Sequence, residues 1–152
     1  PGNPMALLYL GFAYAEARRL DDALRSLRAA SGHPGGMPWA AESVGWVLGL
    51  TGDAEGARAV LGESLLRMQT RYVPSSAIAC IHLGLGDDDA LFEWLERAAE
   101  NRDALMPWLG YMPAFERVRP DPRFRALLTR LGLAQPRAES TGHTITVGSR
   151  LV

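Results

Sequence analysis

Lysine is absent from this 152-residue chain and cysteine occurs once, so all 16 basic residues are arginines and no internal disulfide can form. We attribute the missing lysines to a GC-rich genome rather than to selection for arginine. The single thiol, Cys80, favours a reducing compartment, and we expect a cytoplasmic protein. No run approaches the roughly 18 consecutive apolar residues of a membrane-spanning helix, so we expect no membrane contact.

A targeting signal and a broad positive charge are missing as well. The opening residues, Pro1-Gly2-Asn3-Pro4, hold neither an initiator methionine nor the regions of a secretory signal, so we expect a fragment of a longer protein. Residues 1–106 carry nine Arg against fourteen acids, and residues 107–152 carry seven against three. A short basic segment on a chain of net charge −1 is not the positive face that nucleic acid requires. We therefore expect no DNA or RNA contact.

Patterns for catalysis, cofactors and metals are also missing. The chain has no glycine-rich phosphate loop, and its serines lack a nucleophile-elbow context. Cys80 and His82 point about 200° apart on a helix and cannot share a metal, so His82 fits better as a hydrogen-bonded core residue. Asp87-Asp88-Asp89 lacks the glycine and further ligands of a calcium loop, and helix capping explains it better. We predict no enzyme activity, no cofactor and no metal site.

The chain does contain a self-match at a spacing of about 34 residues, which lies within the range of periods that repeat architectures use. Gly11, Gly45 and Ala79 share one slot, and small or apolar residues are kept in most of the others. Further slots are Leu10–Val44–Ile78, Ala23–Ala57–Leu91, Leu27–Leu61–Leu95 and Ala30–Ser64–Ala98. Such a period indicates stacked helical hairpins, because each hairpin has an apolar face that only its neighbours can cover.

Capping residues and prolines divide the chain further. Asn3-Pro4 predicts a helix start, Asp21 a cap of the second helix, and Asp53 a cap after the turn glycine Gly52. Asp121-Pro122 predicts a last helix. The predicted segments are hairpins at 4–37, 38–71 and 72–105, a cap at 106–133, and a disordered tail at 134–152.

These residues resemble the tetratricopeptide repeat (TPR) family, whose period is 34 and whose pattern is W-x2-L-G-x2-Y. Leu7-x2-Leu10-Gly11-x2-Tyr14 matches closely. No repeat keeps the family's Trp or its terminal Pro, and the likeness covers about residues 4–105. It implies an all-α fold, a right-handed α-solenoid of about three hairpins with a C-terminal capping helix.

In TPR hairpins the first helix of each pair lines a concave groove. By helical spacing, nine side chains face it here: Met5, Leu8, Phe12, Trp39, Glu42, Trp46, Val73, Ser76 and Cys80. This set is apolar and aromatic, which suits a partner's apolar side chains, with Glu42 able to accept a polar contact. The alternative is that Phe12, Trp39 and Trp46 complete the core.

Some TPR domains hold a C-terminal carboxylate through Lys, Arg and Asn on this face. Those residues are absent here, so that specificity is not expected.

The resemblance is narrower at the C-terminal end. Tyr72-Val73-Pro74, Gly86-Asp87 and Asp121-Pro122-Arg123-Phe124 look like the C-terminal TPR arrays of bacterial multidomain signalling proteins. We expect a protein–protein interaction scaffold that binds a peptide or domain in its groove. The alternative is a sensory or autoregulatory segment acting in cis on an upstream kinase, cyclase or winged-helix domain of the parent protein. A third hypothesis is homo-oligomerisation through the open face of the first repeat.

Overall fold

The computed structural model describes residues 3–34, 37 and 39–133, and these residues form helices and connections without a strand. The α-helices are α1 (Pro4–Glu16), α2 (Leu20–Ser31), α3 (Ala40–Thr51), α4 (Ala54–Met68), α5 (Ser75–Leu85), α6 (Asp88–Glu100) and α7 (Pro122–Arg130). Two 3-10 helices, η1 (Met106–Trp108) and η2 (Pro113–Val118), lie between α6 and α7. The predicted all-α class is confirmed. The predicted tail at 134–152 lies outside the described residues.

In four of the α-helices the residue just before the helix caps it with its own side chain. The carboxylate of Asp53 accepts a hydrogen bond from the Gly56 N–H at 2.8 Å, and Asp121 accepts one from the Arg123 N–H at 2.8 Å. Asn3 and Asp87 cap α1 and α6 in the same way. Each cap satisfies an N–H that has no partner inside its own helix. The cap predictions for α1, α4 and α7 are confirmed.

The prediction that Asp21 caps the second helix is wrong. Helix α2 begins at Leu20 without a side-chain cap, so Asp21 lies within its first turn. The cause is a tight connection in which Arg18 adopts a left-handed φ of 59° and the Arg19 N–H donates to the Tyr14 carbonyl. Asp21 still favours the helix start, because a carboxylate there faces the positive end of the helix dipole.

The period of the self-match continues beyond the predicted third hairpin. Helices α2, α4, α6 and α7 begin at Leu20, Ala54, Asp88 and Pro122, so each start lies one full period after the previous one. The last helix, which Asp121-Pro122 predicts, therefore begins in register with α2, α4 and α6, whereas the segment before it differs from α1, α3 and α5. There Pro107 and Pro113, which cannot donate a backbone hydrogen bond, accompany the 3-10 helices η1 and η2.

Helices α6 and α7 run parallel. Arg123 of α7 pairs with Asp89 of α6 at 2.7 Å, and Arg130 pairs with Glu96. Both pairs join side chains that are 34 positions apart in the sequence, so the two helices advance together rather than in opposite directions. The capping helix is thus held along α6 by ion pairs near both of its ends.

The remaining helices pack as hairpins and between hairpins. Helices α1 and α2, α3 and α4, and α5 and α6 form the pairs, while α2 packs on α3, α3 on α5 and α4 on α5. The repeated slots supply the core, and the fully enclosed members are Ala23, Leu27, Ala30, Ala57, Ser64, Ile78, Ala79, Leu91, Leu95 and Ala98. The self-match therefore marks the residues between the helices, as its periodicity indicates.

Helices α3 and α5 approach backbone to backbone at two glycines. A Cβ placed on Gly84 would lie 2.2 Å from the Trp46 carbonyl oxygen, and one on Gly49 would lie 2.4 Å from the Gly84 carbonyl carbon. Real Cβ contacts are essentially never shorter than 3.0 Å. The approach therefore requires glycine, and it brings the backbone of Trp46 directly against α5.

We expect Gly84→Ala to destabilise the fold by about 1–3 kcal/mol, because the added methyl meets backbone that cannot rotate away. Gly62→Ala is the matched control, since a Cβ there meets no atom within 4 Å. In the middle of α4 it should stabilise the protein by roughly 0.5–1 kcal/mol. Urea denaturation measures both variants. A Gly84→Ala protein as stable as wild type would contradict the close approach.

Candidate functional site

The structure places most of the predicted groove residues in the interior. Of the nine, Met5 is 44% exposed and Phe12, Trp39 and Cys80 are partly buried. The buried members are Leu8 (1%), Glu42 (6%), Trp46 (6%), Val73 (7%) and Ser76 (1%). Buried side chains cannot offer their surface to a partner. The prediction of an open groove is therefore wrong for these five residues.

Trp46 is core because of the close packing of α3. Its backbone lies against Gly84, and its ring meets Phe12 edge-on with 6.1 Å between centroids. Tyr9 meets the other side of Phe12 at 6.3 Å, so three rings form a row from the surface inward. The row joins Phe12 to Trp46, and its outer members, Tyr9 and Phe12, are more exposed than Trp46.

Trp39 lies where α3 begins and adopts a left-handed φ of 70°. Its carbonyl oxygen accepts hydrogen bonds from the Ser43 N–H at 2.8 Å and the Ser43 hydroxyl at 2.7 Å. A left-handed conformation is unusual for so large a residue. Because this conformation does not belong to an α-helix, Trp39 is the last residue before α3. The helix begins at Ala40, whereas the predicted start of the second hairpin was near Pro38.

Glu42 uses its carboxylate inside the protein. Its Oε1 atom accepts a hydrogen bond from Ser64 at 3.0 Å and from the guanidinium of Arg67 at 2.6 Å. Arg67 also donates to the Ser64 hydroxyl at 2.7 Å. The three side chains link α3 to α4 and leave Glu42 no role as an external acceptor.

Ser76 belongs to a second hydrogen-bond network, partly buried, which sequence reasoning missed. The Asp103 carboxylate, 2% exposed, accepts hydrogen bonds from the Ser76 N–H and the Tyr72 hydroxyl, both at 2.8 Å. Burial, followed by the bond to Asp103, raises the pKa of the Tyr72 phenol. Asp103 thus caps α5 from 27 residues away. The signal in the sequence is that the position before α5 holds Pro74, which has no side-chain acceptor.

The remaining reactive side chains are engaged or enclosed. Burial raises the pKa of the Cys80 thiol to about 12, which disfavours the reactive thiolate at neutral pH. His82 is buried as predicted, but its Nδ1 atom lies 3.3 Å from Asp87 without hydrogen-bond geometry. Asp88 and Asp89 pair with Arg117 and Arg123. Across residues 3–34, 37 and 39–133, no three His, Cys, Asp or Glu side chains gather as a possible metal site.

Helix α1 exposes a face whose counterparts on α3 and α5 are buried. Its outward face consists of Met5, Ala6, Tyr9, Leu10 and Ala13, which we call the α1 face. Tyr9 is 61% exposed and Leu10 is 42% exposed. The slots of α3 and α5 that match Tyr9, Leu10 and Ala13 are at most 9% exposed: Ser43, Val44, Val47, Ala77, Ile78 and Ile81.

The difference arises from what lies in front of each helix. Helix α3 is covered by α2, and α5 is covered by α3 and α4. In the part of the chain that the structure describes, no hairpin precedes α1. The α1 face therefore corresponds to the surfaces of α3 and α5 that pack against a neighbouring hairpin. On α1 this surface is exposed.

Two small cavities accompany these features. One, of about 230 Å³, lies between α1, α3, α5 and η2 and includes Trp46, Leu50 and Pro113 in its lining. The other, of about 270 Å³, lies beside η1 and includes Met106 and Leu131. Neither cavity has the size of a typical ligand pocket, which is roughly 300–1,000 Å³, and the α1 face is the candidate surface.

Among the helices in the described residues, none combines the length and apolar character needed to cross a membrane. No protein-family model matches the chain, and no curated protein or solved structure matches it significantly.

Proposed function

We propose that this chain is a cytoplasmic protein–protein interaction module, a right-handed TPR solenoid that binds its partner through the α1 face. Three observations support the solenoid. The second helices begin at one constant interval, each hairpin packs on the next, and α7 runs parallel to α6 with the same offset. All three are typical of stacked repeats of one type. The single cysteine of the chain suits a reducing compartment.

The observation that carries the binding function is the exposure of the α1 face. Tyr9 and Leu10 leave apolar area in water that the matching residues of α3 and α5 bury. Burying such a side chain contributes about 1.5–3 kcal/mol. A partner that covers both would gain enough to offset part of the entropy lost on association.

The first repeat of the predicted groove adds to this surface. Phe12 is partly buried and its ring contacts Tyr9 at 6.3 Å, so a partner on the α1 face also reaches the edge of Phe12. The groove proposed here is therefore shorter than the predicted one. It uses Met5 and Phe12, while Trp46 supports Phe12 from beneath.

The proposal assigns no reaction to the chain. The Ser64 hydroxyl donates a hydrogen bond to the Glu42 carboxylate. Ser64 is 0% exposed, so no substrate reaches it. The Cys80 thiol is protonated at neutral pH because burial raises its pKa to about 12.

Photo-crosslinking in the source cells tests the binding function. We expect a photoreactive residue at position 9 to give a discrete protein adduct, and one at position 66 to give none. Leu66 on α4 is 65% exposed, close to the 61% of Tyr9, but it lies outside the α1 face.

Adding Leu10→Glu to the position-9 protein should weaken the adduct at least about 10-fold, because the glutamate places a charge where the partner packs. Adducts at position 66 with none at position 9 would refute the assignment of the α1 face.

A further inference from the structure

Arg18 holds a backbone conformation that the later repeats give to glycine. Its φ is 59°, and the matching slots one and two periods on are Gly52 (φ 87°) and Gly86 (φ 74°). Glycine is favoured in this left-handed region, because a side chain there crowds its own backbone. Within the residues that the structure describes, the Arg18 guanidinium makes no ion pair or hydrogen bond. Strain that stabilises nothing else marks a candidate functional position.

Arg18 lines the cavity of about 230 Å³ between α1, α3, α5 and η2. Glu16 lines the same cavity and is likewise unpaired in the described part of the chain. Burial raises the pKa of the Glu16 carboxyl, because its charged form has lost some hydration. The remaining charged residue of the lining, Arg117, is already paired with Asp88 at 2.7 Å. The cavity therefore offers one unpaired cation and one unpaired anion.

The rest of the lining is apolar apart from one indole N–H. Leu50, Leu83 and Pro113 are among its side chains. Trp46 also lines the cavity, and its Nε1 atom is buried without a hydrogen-bond partner among the described residues. A ligand acceptor that reached this donor would satisfy it. Since a cavity of about 150 Å³ holds benzene, this one has room for about nine non-hydrogen atoms.

We propose that the cavity binds a free α-amino acid with an apolar side chain of about the size of leucine's. The ligand carboxylate accepts hydrogen bonds from Arg18, its ammonium donates to Glu16, and its side chain packs on Leu50 and Pro113. A monocarboxylate would leave Glu16 unpaired and an amine would leave Arg18 unpaired, so the zwitterion is favoured over both. The lining includes no residue of the α1 face, so this inference is independent of the interaction function.

An NMR titration of the full chain, labelled with ¹⁵N, tests the ligand class. We expect L-leucine to shift the indole N–H resonance of Trp46 in a saturable manner; Trp46→Phe assigns that resonance. N-acetyl-leucine lacks the ammonium and leucinamide lacks the carboxylate. Each should bind at least about 10-fold more weakly than L-leucine, because one charge of the cavity stays unpaired. Equal affinities for all three compounds, or no shift at about 10 mM L-leucine, would overturn the proposal.

Arg18→Gly separates binding from folding. It should weaken L-leucine binding at least about 10-fold, yet thermal melts should show no loss of stability, because glycine adopts the left-handed backbone without steric cost. Arg58→Gln is the matched control. It removes the same charge from an exposed position of α4 outside the cavity and should leave the affinity unchanged. An affinity for L-leucine that survives Arg18→Gly would overturn the site.

Glu16→Gln tests the orientation of the ligand. It should weaken L-leucine binding at least about 10-fold. It should bind N-acetyl-leucine no more weakly than the wild-type chain does, since that compound has no ammonium to pair. Equal losses for the two compounds, or an unchanged affinity for L-leucine, would overturn the placement of the ammonium beside Glu16.

Discussion

Arg67→Met is expected to lower the free energy of unfolding by about 3 kcal/mol, because it leaves the Glu42 carboxylate buried without its cation. The Glu42 side chain is 7% exposed, whereas that of Arg67 is 26% exposed. Water can reach part of the Arg67 site, so the expected loss lies at the lower end of the range for broken buried pairs. Urea denaturation at neutral pH measures it.

Two further variants separate burial from charge. Arg130→Met breaks an ion pair whose side chains are 56% and 45% exposed, so it should cost about 0–1 kcal/mol. Adding Glu42→Leu to Arg67→Met removes the uncompensated carboxylate and should recover much of the loss. A double variant less stable than Arg67→Met would show that the ion pair itself, rather than the stranded charge, determines stability.

Phe115→Ala is expected to cost about 3–5 kcal/mol, because it opens a cavity beneath the C-terminal cap. Phe115 and Phe124 are both fully buried, and their rings stack with 5.8 Å between centroids. This pair joins η2 to α7. Trp108→Ala is the control, since Trp108 on η1 is 64% exposed and should change stability by less than about 0.5 kcal/mol.

The two phenylalanines should also couple. Because each packs on the other, Phe115→Ala and Phe124→Ala together should cost less than the sum of the single variants, as is usual for residues in contact. Additive effects in denaturation curves would mean that the rings stabilise the cap independently. A Phe115→Ala protein within about 1 kcal/mol of wild type would contradict its place in the core.

The all-α class and the starts of most helices could be predicted from the sequence, because their signals are local and repeated. The small residues of the slot Gly11–Gly45–Ala79 mark positions where two helices lie close together. A Cβ on Gly11, for example, would lie 2.5 Å from Leu27 of the same hairpin. The caps Asp53, Asp87 and Asp121 recur at the same interval as that slot, so the register of α7 was also present in the sequence.

The candidate site could be predicted less well, because its exposure depends on how far apart two helices lie. Gly84 lets α5 approach α3. The matching residue one repeat earlier is Leu50, so the periodicity does not predict a close approach at this position. The burial of Trp46 follows from that approach. Asp103 reaches its partners across 27 and 31 residues, and no local pattern connects them.

The regular spacing of the second helices has a consequence for length variation in chains of this type. The first helices begin at Pro4, Ala40 and Ser75, which are not evenly spaced, although the second helices are. The difference is absorbed in the longer connections before α3 and α5, whereas the turns before α4 and α6 each contain a glycine and a capping aspartate. Insertions and deletions should therefore accumulate along one edge of the array, while the opposite edge keeps a constant number of residues.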